Sequence, residues 1–191
     1  MAAVAAPYGF RPIGLTGGQA YAGAIRQIKV TNSYGTSIFF GDPVKLVAAG
    51  TIEKDAGTDA LTPIGIFMGC EYTDPTLNYK LQAQMWTAST SATDIMAYVC
   101  DDPDAEFQIQ ADDSVEQTDL GANFGIVQTA GSTTIGTSKV ALDATSSAAT
   151  NTLPLRLVGF VNGPDAAIAD AKTDCIVRWN VGHAYRNTTG I

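Results

Sequence analysis

The sequence is poor in histidine and cysteine, and each shortage excludes a class of function. The chain of 191 residues has one histidine, His183, so two-histidine metal motifs are excluded and histidine-dependent catalysis must use that residue. His183 lies in a segment that is typical of a flexible, exposed tail, and we expect no catalytic role for it. The three cysteines, Cys70, Cys100 and Cys175, are odd in number and lack C-x-x-C spacing. We therefore expect buried reduced thiols and no disulfide framework.

Charge is also scarce, and positive charge never clusters. Charged residues make up 16% of the chain and hydrophobic residues 46%, which is typical of subunits that pack against other subunits through uncharged surface. The formal net charge of −8 argues against nucleic acid as a partner. No apolar run approaches the roughly 20 residues of a membrane-spanning helix. We expect a protein made and kept in the cytosol, without a membrane partner.

Two near-motifs for ligands fail on spacing. Together, the three cysteines and His183 have the composition of a Cys₃His zinc site, but no pair of them forms the tight knuckle that structural zinc requires. Residues 131–139, GSTTIGTSK, resemble a phosphate-binding loop, but Lys139 falls two positions too late. We therefore expect no metal, no cofactor and no catalytic residues.

An acidic stretch is the remaining candidate for ligand chemistry. It could bind a cation or supply a carboxylate pair, although a turn followed by solvated strand edges is the ordinary use of such a composition. Phe107 stands where a calcium-binding loop of the EF-hand type requires glycine. We expect no dedicated site among its carboxylates, which are Asp101, Asp102, Asp104, Glu106, Asp112, Asp113 and Glu116.

Alternation of apolar and polar residues predicts a mainly β fold. Glu106–Gln110 and Cys175–Val181 place apolar side chains on one face and polar side chains on the other, as in a half-buried strand. Asp, Asn, Gly and Pro separate these runs, which favours a compact β-barrel or β-sandwich. Further strands are predicted at Ala24–Thr31, Pro43–Ala48, Ile64–Tyr72, Tyr79–Trp86, Ile95–Cys100 and Leu155–Val161.

The predicted organisation is one β-rich domain with an arm. Residues 1–23, rich in glycine and proline, form an extended N-terminal arm that lies on another surface, either its own domain or that of a neighbour. Residues 24–191 form the single domain, with a Ser/Thr/Gly-rich excursion or mobile loop at 129–152. Short helices are predicted from Ser114 to Gly121, with Gln117 completing a capping box, and from Pro164 to Ala171.

Five short segments of the sequence are distinctive as a set: PYGFRPIG at 7–14, GDPV at 41–44, VCDDPD at 99–104, FQIQ at 107–110 and LRLVGF at 155–160. Together they resemble the decoration (cement) proteins that tailed bacteriophages place on their capsids. The resemblance covers most of the chain, and it implies a compact β-domain, often a homotrimer, that bridges major capsid protein subunits on the outer surface of the virion. Production in the host bacterial cytoplasm follows from the same resemblance.

The arm is the predicted contact with the capsid. We hypothesise that Tyr8, Phe10, Arg11 and Pro12 contact a neighbouring subunit, with the rings buried and the guanidinium hydrogen-bonded. The other partner that the resemblance implies is the chain itself. Trp86 and Trp179 lie in predicted strands, where core packing or a subunit interface is their ordinary use.

Other functions stay open at this point. A head–tail connector or tail component has a similar composition, and a displayed host-recognition module would bind a glycan through exposed aromatic residues in loops. A hydrolase would need two carboxylates converging in a deep pocket. Copy number separates a decoration protein from a connector.

Overall fold

The computed structural model describes residues 4–163, 166–188 and 190. Strand makes up 38% of the chain and helix 5%, so the fold is mainly β, as predicted. The described strands are β1 Arg11–Leu15, β2 Gln19–Ala20, β3 Arg26–Lys29, β4 Pro43–Leu46, β5 Ile52–Lys54, β6 Gly65–Thr73, β7 Lys80–Ala83, β8 Met96–Cys100, β9 Ala105–Gln110, β10 Asn123–Phe124, β11 Ile126–Val127, β12 Ala141–Leu142, β13 Leu155–Phe160 and β14 Asp174–Trp179.

The first sheet has the antiparallel order β10-β13-β14-β9-β1-β2. At its centre β9 and β14 pair in the register Val177 opposite Phe107, and both residues point inward and are buried. These two strands carry the clearest alternation in the sequence, since each buries one face only. β11 and β12 form a separate, two-stranded antiparallel sheet.

The second sheet has the order β3-β8-β6-β4-β5, with β7 also paired to β6. Neither sheet closes on itself within the described residues, so no barrel forms and the arrangement is compatible with a sandwich. Every predicted strand overlaps an observed one, and β6, β9 and β14 each extend one residue beyond the predicted range. The strands β1, β2, β5, β10, β11 and β12 were not predicted.

Two clusters of buried side chains form the core, and β6 contributes to both. Ile66 lies in the first cluster, with side chains of the first sheet, while Phe67 lies in the second. A bulge between Phe67 and Cys70 shifts the alternation by one residue, so Cys70 again faces the second cluster. Gly69, with φ of 120°, occupies the bulge in a conformation that favours glycine.

Aromatic rings define the centre of each cluster. In the first, the ring of Phe10 lies 5.8 Å from that of Phe107 and 5.4 Å from that of Trp179, between centroids. In the second, Trp86 and Tyr72 meet edge to face at 5.5 Å. Both tryptophans therefore serve as core residues.

The predicted arm lies on its own domain over its described residues. β1 pairs with β9, and Phe10 just before it is fully buried. Gly9 permits this entry because a Cβ there would lie 2.5 Å from the Cβ of Ser138, and its φ of 73° is in the left-handed region. The arm thus completes the first cluster, which the composition of residues 1–23 did not indicate.

The buried carboxylate of Asp42 joins three parts of the chain. Its oxygens accept hydrogen bonds from the Phe39 amide at 2.9 Å and the Ser138 hydroxyl at 2.6 Å. They also pair with the Lys54 ammonium at 2.9 Å. The start of β4, the end of β5 and the excursion are therefore fixed to one another through charge-assisted hydrogen bonds.

The excursion and the helices differ from prediction. Residues 129–137 form a loop, but residues 138–142 are largely buried and include β12, so the expected mobile loop is wrong for this part. The helix predicted at Ser114 is a 3₁₀-helix, Gln117–Asp119, whose capping box uses Glu116 and Asp119. Pro164 of the second predicted helix lies outside the described residues, and residues 166–171 form a bridge and turns.

Candidate partner-binding surface

The outward face of the first sheet is a half-exposed surface of mixed polar and apolar side chains. On β9, β13 and β14 every second side chain points into the first cluster, and those between point away from it. The outward side chains are half-buried, so solvent reaches them in part. We call this surface the outer face; its residues are Arg11, Glu106, Gln108, Arg156, Ile176 and Arg178.

Tyr8 and Arg11 form a fixed stack at one edge of the outer face. The Tyr8 hydroxyl donates a hydrogen bond of 2.8 Å to Oδ1 of Asp174 on β14. The Arg11 guanidinium carbon lies 4.0 Å from the centre of the Tyr8 ring, a cation–π distance. Burial, and then the Asp174 carboxylate, raise the pKa of Tyr8 above its ordinary value. The phenol is therefore a neutral donor that holds the exposed guanidinium in place.

The four residues predicted to contact a partner divide between surface and core. Tyr8 is half-buried and Arg11 is exposed on the outer face, so both are accessible in part. Phe10 is fully buried against Phe107 and Trp179, so its ring packs within its own chain; the hypothesis that it is buried by a neighbour is corrected here. Pro12 lies opposite Phe107 in the sheet register and is half-buried.

A groove runs between the arm and the excursion beside the stack. Its volume is about 410 Å³, and the exposed side chain of Ile135 forms part of one wall. Arg11 and Lys139 place two cations in this wall. Apolar contact and positive charge thus occur together next to Tyr8, in a chain whose net charge is negative.

His183 is buried, and the expectation of an exposed tail is wrong. Its ring lies 6.4 Å from that of Trp179, and Nδ1 accepts a hydrogen bond from the Tyr185 amide at 3.3 Å. Its Nε2 is buried without a hydrogen-bond partner among the described residues. Burial lowers the pKa of His183 to about 4, and nearby Arg186 acts in the same direction. The imidazole is therefore neutral near pH 7.

The acidic stretch forms separate local contacts. Asp101 pairs with Arg26 at 2.6 Å and accepts a hydrogen bond from the Tyr185 hydroxyl, while Asp104 pairs with Arg186. Asp112 caps the Ala144 amide, and Asp113 accepts from Ser114. In the described part of the chain no three His, Cys, Asp or Glu side chains lie where they could share a metal ion.

The cysteines are buried free thiols, as predicted. Cys70 belongs to the second cluster, whereas Cys100 and Cys175 belong to the first. Burial raises the pKa of Cys70 and of Cys175 to about 12. These thiols are therefore protonated at neutral pH, which makes them unreactive as nucleophiles.

Two arginines of the outer face were not identified from the sequence. Arg156 and Arg178 are Cα partners across β13 and β14, and both are half-buried. A signal was available, because both occupy outward positions in predicted strands of a chain with few cations. Their adjacency depends on strand pairing, which alternation within each strand does not determine.

Comparison with known proteins gives no relative to guide the assignment. No protein-family model, curated protein or solved structure matches the chain. Among the described residues, no helix combines the length and hydrophobicity needed to cross a membrane.

Proposed function

We propose that this protein is a non-enzymatic capsid decoration protein of a tailed bacteriophage. In this proposal it binds the outer surface of the virion and bridges major capsid protein subunits, as a homo-oligomer with a trimer favoured. The observation that carries the proposal is the Tyr8–Arg11 stack, held to Asp174 on an open sheet face. Such a preorganised aromatic and arginine pair is typical of interface anchors.

The mode of action is adhesion. Bridging adds contacts across the seams of a shell, and many identical weak contacts combine through multivalency. The chain as a whole has a low content of charged residues, 16%, which is typical of subunits that pack against other subunits. The acidic net charge of −8 favours a position away from packaged DNA.

The direct test measures binding to shells. Purified protein is mixed with particles assembled from the major capsid protein of the same phage, and bound copies are counted after sedimentation. We expect on the order of hundreds of copies per particle, whereas the alternative of a connector or tail component predicts about a dozen. An absence of binding, or binding at a single vertex, contradicts the proposal.

Variants locate the contact. Arg11→Ala removes the guanidinium from the stack and leaves Tyr8 in place, so we expect about tenfold weaker binding to particles. Lys29→Ala, on exposed β3 of the second sheet, is the charge-matched control and should bind as the wild type does. Equal affinity of all three proteins would show that the outer face does not contact the particle.

A further inference from the structure

The paired arginines of the outer face have no carboxylate partner among the described ion pairs. Nε of Arg156 donates a hydrogen bond of 3.1 Å to Oδ1 of Asn123, its neighbour on β10. Nε of Arg178 is buried and has no acceptor among the described residues. Neither arginine forms an ion pair with a described carboxylate.

This arrangement is unfavourable in the free protein. Like charges directly opposite on neighbouring strands repel each other, and a buried donor without an acceptor retains its desolvation cost. Glu106 is the Cα partner of Arg178 on the other side, in β9, yet no ion pair forms between them within the described contacts. An anionic ligand on the outer face would offset the repulsion between the two positive charges.

We infer that Arg156 and Arg178 form a carboxylate-binding site for an acidic segment of the partner protein. Guanidinium groups match the planar geometry of carboxylates, which they bind through paired hydrogen bonds, and the strand register places these two arginines directly opposite each other. The half-buried side chain of Ile176, two residues along β14, offers an apolar neighbour to the aliphatic part of a peptide. This site rests on the proposed function, since the segment would belong to the major capsid protein.

A protein segment fits this surface better than nucleic acid does. The net charge of −8 repels an extended polyanion, whereas a short acidic segment meets mainly the local field of the two arginines. The separate groove beside Tyr8 adds Arg11 and Lys139. The cations that face outward on this side therefore favour an acidic partner.

The first test separates a guanidinium site from general positive charge. Arg178→Lys retains the charge and loses the planar fork, so binding to particles should weaken about tenfold. Arg178→Met retains much of the aliphatic stem and should weaken binding at least as much, while raising the thermal midpoint of the free protein by about 2 °C. Lys29→Met is the control and should bind as the wild type does.

Two results would overturn the inference. If Arg178→Lys binds particles as tightly as the wild type, the fork is unnecessary and only charge is used. If Arg178→Met binds normally and lowers the thermal midpoint, the side chain is a packing element. Weaker binding together with a higher midpoint supports the inference, because a purely structural role cannot produce that combination.

A second test examines the carboxylate site independently of the proposed function. Wild-type protein labelled with ¹⁵N is titrated at low salt with a hexaglutamate peptide, with oligothymidylate as the phosphate control. Chemical-shift changes at the amides of residues 156 and 178, reduced in Arg178→Lys, support a carboxylate site even if the protein ignores capsid particles. Absence of these shifts, or a stronger response to oligothymidylate, overturns the site even if particles are bound.

Discussion

The two core clusters differ in where along the chain their residues come from. The second cluster draws its fully buried members from Val30 to Val99, joined by neighbouring strands and short turns. The first cluster needs Phe10 from one end of the chain and Trp179 from the other. Closing such long loops costs more entropy, so the first cluster should be the more easily disrupted of the two.

The largest expected effect comes from removing the ring of Phe10. Phe10→Ala should lower the free energy of unfolding by about 3–5 kcal/mol, because it leaves a cavity against Phe107 and Trp179. Denaturant unfolding is followed by tryptophan fluorescence in two forms of the protein, one that retains only Trp86 and one that retains only Trp179. Phe10→Ala should lower the denaturant midpoint reported by Trp179 more than the midpoint reported by Trp86.

Phe67→Ala in the second cluster is the matched control for this comparison. Phe67 is also fully buried, and its loss should affect the Trp86 transition at least as strongly as the Trp179 transition. Identical shifts of both transitions in both variants would mean that the clusters unfold as one unit. In that case the difference in sequence separation between the residues of the two clusters would have no effect on their relative stability.

The next effect concerns the buried ion pair that joins the second sheet to the excursion. Asp42→Asn removes the charge that pairs with Lys54 and should lower the free energy of unfolding by about 3 kcal/mol. Ser138→Ala removes one hydrogen bond to the same carboxylate and should cost about 1 kcal/mol. Chemical denaturation of both variants measures the difference; equal losses would mean that the Lys54 pair contributes nothing.

The last effect is a pH dependence that originates beside the first cluster. The pKa of His183 is lowered from 6.5 to about 4 in the folded protein, so the unfolded chain takes up the proton at higher pH. The associated stability is complete above pH 6.5 and is lost as pH falls toward 4. The loss by pH 4 should be about 3 kcal/mol.

His183→Gln isolates this contribution from the carboxylates, which also titrate in acid. Unfolding free energies of both proteins are measured between pH 7.5 and 4. The wild type should lose more stability than the variant between pH 6.5 and 4. Parallel curves would show that the imidazole is solvated in the folded state.

The pattern of the longer strands could be predicted from the sequence, whereas the role of the arm could not. Alternation located β9 and β14, because a strand that buries one face must place apolar side chains at every second position. Phe10 follows Gly9 in a segment without such alternation. Its burial depends on the pairing of β1 with β9, which lies far away along the chain.

The candidate surface was predicted in part for the same reason. Tyr8 and Arg11 were identified as an aromatic and a cation in an arm, and they lie together on the outer face. Arg156 and Arg178 were missed because their adjacency arises from the register of two strands. His183 was misplaced because tail-like composition does not reveal contact with Trp179.

The sequence by itself determined a mainly β fold, buried thiols and an acidic surface with few charges, because composition and alternation act locally. Only the tertiary structure decided which residues meet: Phe10 with Trp179, Tyr8 with Asp174, and Arg156 with Arg178. Strand order and register are set by contacts between distant segments. Which of those contacts form depends on the free energy of the whole chain, and a local sequence pattern does not determine it.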